Sequence, residues 1–532
     1  MQGSRLTERS GHVDVLPETK DRQYFAELIV ELEKRLDVNE IRSGEVRLWP
    51  LIRWELARNI KGVEVDDSIS DSVKDVRANR FAGGREERLQ VATAARDKER
   101  AANPDPHVQI RKQLDMLETV GACDYLVFSK IEKYYQPIGE RFYAPITDPI
   151  YEDLCKRGKT RSIALEPLDI DCVNEPIRLS IDPYMRISGA IQKLPADPSL
   201  LRGVENVNRV LADISPNYHL DARRLINRIN RYRRRVPFFR DILETLRPKA
   251  IFCSSFVGWA PLIWAARQVG VVSVDIQHGG QSPYHYHTTH WTRLPEEGYE
   301  LLPDVFWVWG TAIKNYIDPW LPGRSVRHVP VVGGHRYVAK WINDDDDFTS
   351  DSDAPHIADL VERKEKTVLV TLGYSVKEIL PDHVVEAIRR TPDWLWLLRL
   401  HPINRGQAAI REIETKTVKS GIGNVEYMAS TRLPLYSLMR LSDFHVTPFS
   451  TTCREARAFG LNSAIVHPIG KTYFKNEIEQ GTFDYAGDAE TLLFLIENKG
   501  WKSDAKDQLF IETADSLVDE VLRATKRMRS NF

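Results

Sequence analysis

A chain of 532 residues is too long for one hydrophobic core, so two or three domains are expected. Basic side chains (74) nearly balance acidic ones (76), which leaves no global field of the kind that marks a nucleic-acid binder, and 42% hydrophobic with 28% charged residues is the composition of a globular protein. Five scattered cysteines without a CxxC pair supply neither a disulfide framework nor a thiolate metal site, and they fit a reducing compartment.

The opening residues, MQGSRLTERSGHVDVLPETK, lack the apolar segment of a signal peptide, and no run approaches the ~18–20 apolar residues that span a bilayer. The expectation is a cytoplasmic protein, free to dock at the inner face of the membrane. No internal repeat points to a solenoid or propeller. Residues 1–118 read as a polar, helical extension: Tyr24–Leu36 has apolar positions at helical spacing, and Arg85–Arg100 is dense in charge. That region carries no recognisable chemistry and is expected to serve as an accessory or interaction segment.

From residue 119 the texture changes to short apolar runs alternating with amphipathic helices. Strands are expected at Tyr125–Phe128, Ala250–Cys253, Val271–Ile276, Phe306–Trp309 and Val329–Val332, with a helix over Ala260–Gln268. A second series follows at Thr367–Thr371, Trp394–Leu400, Asn424–Glu426, Phe444–Val446 and Ser463–Val466, with helices over Pro381–Arg390 and Cys453–Phe459. Strand–helix–strand repeats imply parallel sheets with crossovers. The fold class is therefore α/β, with two Rossmann-like doubly wound domains behind the helical extension. The boundaries fall at 119–334, 335–495 and a helical tail over 496–532. The acidic stretch Asn343–Ala354 between the two series reads as a solvated loop; it lacks the central Gly of a calcium loop.

Candidate chemistry lies at strand ends, where open parallel sheets bind ligands. Asp275-Ile276-Gln277-His278-Gly279-Gly280 ends the third strand of the first series, with an imidazole suited to general-base work beside two glycines that permit a tight turn. Gly333-Gly334-His335 ends the fifth strand where a hinge between domains would fall. In the second series Thr371-Leu372-Gly373 forms the first strand-to-helix turn, where Gly373 lets backbone approach a phosphate. Arg399-Leu400-His401-Pro402 puts a planar guanidinium and an imidazole at a strand end. Ser450-Thr451-Thr452 opens a helix with three hydroxyls, and Glu455 stands one turn in, where a carboxylate could reach a ribose. One of the three hydroxyls is expected to serve as an ordinary N-cap.

His285, His287 and His290 in YHYHTTH have His-x-His spacing, but no Cys or carboxylate accompanies them at ligand spacing, so no metal is expected. The basic run Arg223–Arg235 reads first as a solvated helix face and second as a contact for anionic lipid or a lipid-linked acceptor.

Taken in this order, these motifs resemble those of the bacterial GT-B glycosyltransferases that build capsules and lipopolysaccharide. The Gln277–Gly279 turn is similar to that of polysaccharide-export and teichoic-acid polymerase relatives. His401-Pro402 and Ser450–Thr452 resemble the HP and Ser/Thr motifs of sialyl- and Kdo-type transferases, where they hold the nucleotide phosphate of the donor. The resemblance covers roughly residues 240–490; the acidic-acidic-Gly motif of sialyltransferases is absent from the first domain, and Ser-Thr-Thr stands where paired serines are common. It implies a nucleotide-sugar donor held by Arg399, His401, Ser450, Thr451, Thr452, Glu455 and Gly373. The acceptor, a carbohydrate or a lipid-linked glycan, would lie near Gln277 and Gly279, with His278 or Asp275 as base, and neither metal nor cofactor is implied. A CDP-polyol phosphotransferase and a non-catalytic polysaccharide-assembly factor are the rival readings.

Overall fold

The computed structural model describes residues 22–60, 105–129, 136–138, 141–165, 171–190, 197–321, 327–343, 353–373, 378–401, 407–499 and 510–530. The charge-rich stretch Arg85–Arg100 and residues 344–352 of the acidic stretch lie outside them.

The apolar runs from residue 125 onward become strands buried on both faces, as parallel sheets require. The first sheet contains β1 (Tyr125–Ser129), β2 (Thr160–Leu165), β3 (Ile177–Leu179), β4 (Ala250–Ser254), β5 (Val272–Ile276), β6 (Val305–Val308) and β7 (Val329–Val332). All neighbours pair in parallel, in the order 7-6-5-4-1-2-3. The second sheet contains β8 (Lys366–Thr371), β9 (Trp394–Arg399), β10 (Val425–Glu426), β11 (Phe444–Thr447), β12 (Ser463–Ile465) and β13 (Asp484–Tyr485), also all parallel, in the order 10-9-8-11-12-13. Counting each sheet from its own first strand, both have the 3-2-1-4-5-6 Rossmann order, and the first adds a seventh strand at one edge. The doubly wound two-domain plan expected from the sequence is the plan observed.

Alternation along β1 shows how both faces are used. Leu126 and Phe128 point into a core shared with Phe239 and Trp259, whereas Val127 points to the opposite face. That opposite face is covered by the helix Ser516–Arg529, whose Val518, Val521, Ala524 and Met528 lie against Phe252, Val274 and Trp307. The chain end thus returns to the first domain after building the second. Arg336, just past β7, ties this return: it pairs with Asp153 (2.6 Å) and donates to the carbonyls of Thr513 (2.9 Å) and Ala514 (3.2 Å).

The described part of the N-terminal extension is more than a polar appendage. Helices Arg22–Arg35 and Trp49–Ile60 bury Phe25, Leu28, Ile29, Leu32, Trp49, Ile52 and Trp54 in the first domain's core. Their buried Glu33 and Arg53 reach the loop that follows Gly280. Arg53 donates to the carbonyls of Tyr286 (2.9 Å), Thr289 (2.6 Å) and His290 (3.1 Å) and stacks on Trp291 (3.7 Å). Glu33 accepts from Trp49 Nε1 (2.6 Å) and from the backbone N–H groups of Thr292 (2.6 Å) and Arg293 (3.1 Å). Burial pulls the Arg53 pKa down to about 10, with Glu33 opposing the shift, so Arg53 stays charged at neutral pH.

Candidate functional site between the two sheets

At the carboxyl ends of the two sheets the glycine- and hydroxyl-rich turns singled out in the sequence meet, Gly280 against Thr451 and Gln281 against Arg454. On the first-domain side, Gln277 is buried and fixes the turn. Its Oε1 accepts from the Trp309 N–H (2.9 Å) and its Nε2 donates to the Gly279 carbonyl (2.9 Å). His278 is exposed at the tip, and the space around Gly279 is open. Gly280 reaches the second domain: a Cβ there would lie 1.9 Å from the Thr451 methyl and 2.9 Å from its Cβ. No side chain fits between these turns, which is the physical reason for Gly at this position.

Asp275 has a different place from the one expected. It is buried, and its carboxylate accepts from the Phe256 N–H (2.8 Å), holding the start of the helix Phe256–Gln268 behind the left-handed Ser255 (φ 61°). A carboxylate enclosed in this way cannot touch substrate, so the structure corrects its assignment as a base to a helix anchor. Burial pushes its pKa up to about 8 against the helping N–H groups of Phe256 and Ser255. A carboxyl whose folded pKa is raised binds more protons folded than unfolded. Its contribution to stability is therefore complete below the ordinary value near ~4 and is lost as pH rises to about 8. Asp275→Asn keeps the acceptor oxygen and should remove this slope. Melting temperatures measured from pH 4.5 to 8 should fall more steeply for wild type than for the variant; parallel curves would contradict the assignment.

On the second-domain side the three hydroxyls have separate tasks. Ser450 Oγ accepts from the Thr452 N–H (3.3 Å) from one residue ahead of the N-cap, Thr451, which makes no side-chain capping bond, so the ordinary N-cap hydroxyl expected from the sequence is not observed. Thr451 presents its methyl to Gly280. Thr452 Oγ1 lies 2.9 Å from Thr371 Oγ1. Glu455 accepts from the Tyr436 hydroxyl (2.8 Å), and burial pushes its pKa up to about 7 while that bond pulls it down. Gly373 is buried at the exit of β8, and His401 is half-buried at the exit of β9; residues 374–377 and 402–406, Pro402 among them, are outside the described set.

Arg399 also departs from expectation. Its Nη1 donates to the carbonyls of Ser430 (2.6 Å) and Leu433, which end the short helix Met428–Arg432. The strand finishes on a buried Arg because helix C-terminal carbonyls wait there, and this corrects the expected phosphate fork at Nη1. The glycine pair after β7 is likewise committed to packing. A Cβ at Gly333 would sit 2.2 Å from the Trp307 ring, and the Gly334 carbonyl accepts from Trp307 Nε1 (2.9 Å).

Several residues of the cleft were not foreseen. Arg454, buried in the helix Thr452–Ala458, donates to the first-domain Gln281 carbonyl (2.6 Å) and to Glu477 (2.6 Å), and its guanidinium lies over Phe510 (4.8 Å). Tyr316 of the first domain donates to the same Glu477 (3.4 Å). His335, which the sequence placed at the exit of the fifth strand, packs its ring at a tilt on Trp309 (4.2 Å) and meets Tyr436 edge-on, and burial holds its pKa down at about 3. A charged residue directly after three hydroxyls and a cysteine, on a short amphipathic helix, was the available signal for Arg454. The YHYHTTH histidines are taken up locally: His285 bonds Thr288 (3.0 Å), and His290 bonds Thr289 (2.9 Å) and stacks on Trp320 (4.1 Å).

No protein-family model matches the chain, and no curated protein matches it. Among solved structures it is similar to UDP-GlcNAc 2-epimerase from Neisseria meningitidis bound to UDP-GlcNAc, with 13% identity, 76% of this chain and 99% of that chain covered, and a TM-score of 0.46. It is also similar to S. aureus MnaA in its UDP co-structure (13% identity, 77% and 97% covered, TM-score 0.46) and to Anabaena HepE in complex with UDP-glucose (12% identity, 77% and 99% covered, TM-score 0.37).

Proposed function

We propose that this chain is a metal-independent glycosyltransferase that moves a sugar from a nucleotide-activated donor to a bacterial surface polysaccharide or its lipid-linked precursor. The observation that supports the reading is the meeting of Gly280 with Thr451, which brings the His278 turn beside the hydroxyl run. In this reading the donor phosphate lies against Ser450, Thr452, His401 and Gly373, with Glu455 and Tyr436 beside it. The acceptor lies at the exposed His278 and the open space about Gly279. In an inverting reaction the acceptor hydroxyl attacks the anomeric carbon as the bond to the nucleotide phosphate breaks. The proton passes to His278, and the nucleotide leaves with the bonding electrons.

Among the described residues no helix is long and apolar enough to cross a membrane. The helix Ala222–Leu246 buries Leu225, Ile229, Tyr232 and Val236 and exposes Arg223, Arg224 and Arg231, a face suited to anionic headgroups or a lipid diphosphate at the cytoplasmic surface.

The test is product analysis with a lipid-linked acceptor and a panel of nucleotide sugars and CDP-polyols. A new glycosidic bond supports the proposal, a new phosphodiester would assign the chain to polyol-phosphate transfer, and no product with any donor would favour an assembly role. In the same assay His278→Ala should lower turnover by about a hundredfold while leaving donor affinity intact; undiminished turnover removes His278 as the base.

A further inference from the structure

A buried chain of polar side chains runs from the middle of the second sheet to the cleft. His445 lies on β11, wholly enclosed, with Nδ1 2.9 Å from Ser463 Oγ and Nε2 2.9 Å from Thr371 Oγ1. Thr371 Oγ1 is in turn 2.9 Å from Thr452 Oγ1, which also lies 3.5 Å from Nε2. Ser463 and Thr371 are buried, whereas Thr452 is half-buried beside the Thr451–Gly280 contact. Burial holds the His445 pKa down at about 3, so the ring is neutral and carries one proton.

Two tautomers fit these distances, and they orient every hydroxyl in opposite senses. With the proton on Nδ1, the ring donates to Ser463, Thr371 donates to Nε2 and Thr452 donates inward to Thr371. The Ser463 hydroxyl proton then has no acceptor among the described residues, although its oxygen is buried, and leaving a buried donor unmade is costly. With the proton on Nε2, Ser463 donates to Nδ1, the ring donates to Thr371 and Thr371 donates to Thr452. Every enclosed proton is then used, and the one left over belongs to Thr452 at the cleft.

We propose that Ser463, His445 and Thr371 are positioning residues that fix the Thr452 hydroxyl as a donor to an anionic oxygen, the donor phosphate in the function proposed above. The inference rests on that reading only for the identity of the anion. A hydroxyl orientation preset in this way needs no reorganisation when the ligand arrives, which is how fixed dipoles contribute most to phosphate binding and departure.

The tautomer is read from long-range nitrogen–proton correlation spectra of the 15N-histidine-labelled protein, with His445→Gln identifying the signals. The expected result is a protonated Nε2 and a bare Nδ1 without ligand; a protonated Nδ1 would overturn the proposal. Calorimetric titration with inorganic pyrophosphate gives the second readout. Thr452→Val and Thr371→Val should each weaken binding roughly tenfold or more, the worth of a hydrogen bond to a charged group. Unchanged affinity in Thr371→Val, or no binding of pyrophosphate by wild type, would overturn it. Pyrophosphate binding that depends on both threonines, in a protein that transfers no sugar, would support this inference and sink only the transferase reading.

Discussion

Arg454→Ala should lower stability by about 3–5 kcal/mol and abolish the sugar transfer proposed above, because the change leaves Glu477 buried without its cation and frees the Gln281 carbonyl from the second domain. Both side chains of the pair are almost wholly enclosed, so no solvent screening softens the loss. The stability and activity effects can be separated. Replacing Arg454 and Glu477 together with Met and Leu removes both charges and keeps much of the volume between Phe474 and Phe510, so stability should largely recover. Activity should not recover, since the short Arg454–Gln281 bond is gone and the 3.5 Å contact of the Tyr473 hydroxyl with the Gly280 carbonyl is a weaker tie between the His278 turn and the hydroxyl run. Thermal melting and a transfer assay on the two variants check this. A double variant with wild-type turnover would show that the Gln281 anchor is dispensable.

The other large effect is expected far from the cleft walls. Glu33→Ala should cost about 3–5 kcal/mol, because Arg53 would remain charged and enclosed, and the Thr292 and Arg293 N–H groups and Trp49 Nε1 would lose their acceptor. In melting temperature this amounts to roughly 10 °C for a domain of this size. Arg53 also fixes the loop over residues 286–290, so turnover per folded molecule should fall as well. A change of under 1 °C in Glu33→Ala would mean that the N-terminal helices are not part of the first domain's core.

The fold was legible where chemistry repeats. Runs such as TVLVT and WLWLLRL can only be doubly buried strands, and the crossover helices between them leave few alternatives to a parallel sheet. Thr160–Leu165 and Asp484–Tyr485 were missed, since β2 begins with a Thr-Arg pair and β13 is two residues at an edge, too short to show a period. The N-terminal helices were read as polar because their buried ion pair counts as charge in a composition. In the structure Glu33 and Arg53 satisfy each other inside the core.

The candidate site was half legible for a related reason. A polar residue at the end of a buried strand announces that a polar partner waits, but it does not say whether the partner is ligand or protein. At Arg399 the partner is a pair of carbonyls, and at Asp275 it is a backbone N–H. His278, Ser450 and Thr452 remain at the cleft. Arg454 joins the walls by reaching Gln281 across 173 positions, and the local signal at Arg454 does not name so distant a partner.

The central claim is that this cleft holds a nucleotide-activated sugar. It is tested most directly by the melting of wild type and His401→Ala with CMP, CDP, UDP, GDP and their sugar conjugates. A ligand at 100 times its dissociation constant adds roughly 2.7 kcal/mol to the folded state. The account predicts a rise in melting temperature selective for one nucleotide and strongly reduced in His401→Ala. No rise with any nucleotide, or one that His401→Ala leaves unchanged, would contradict the donor site described above.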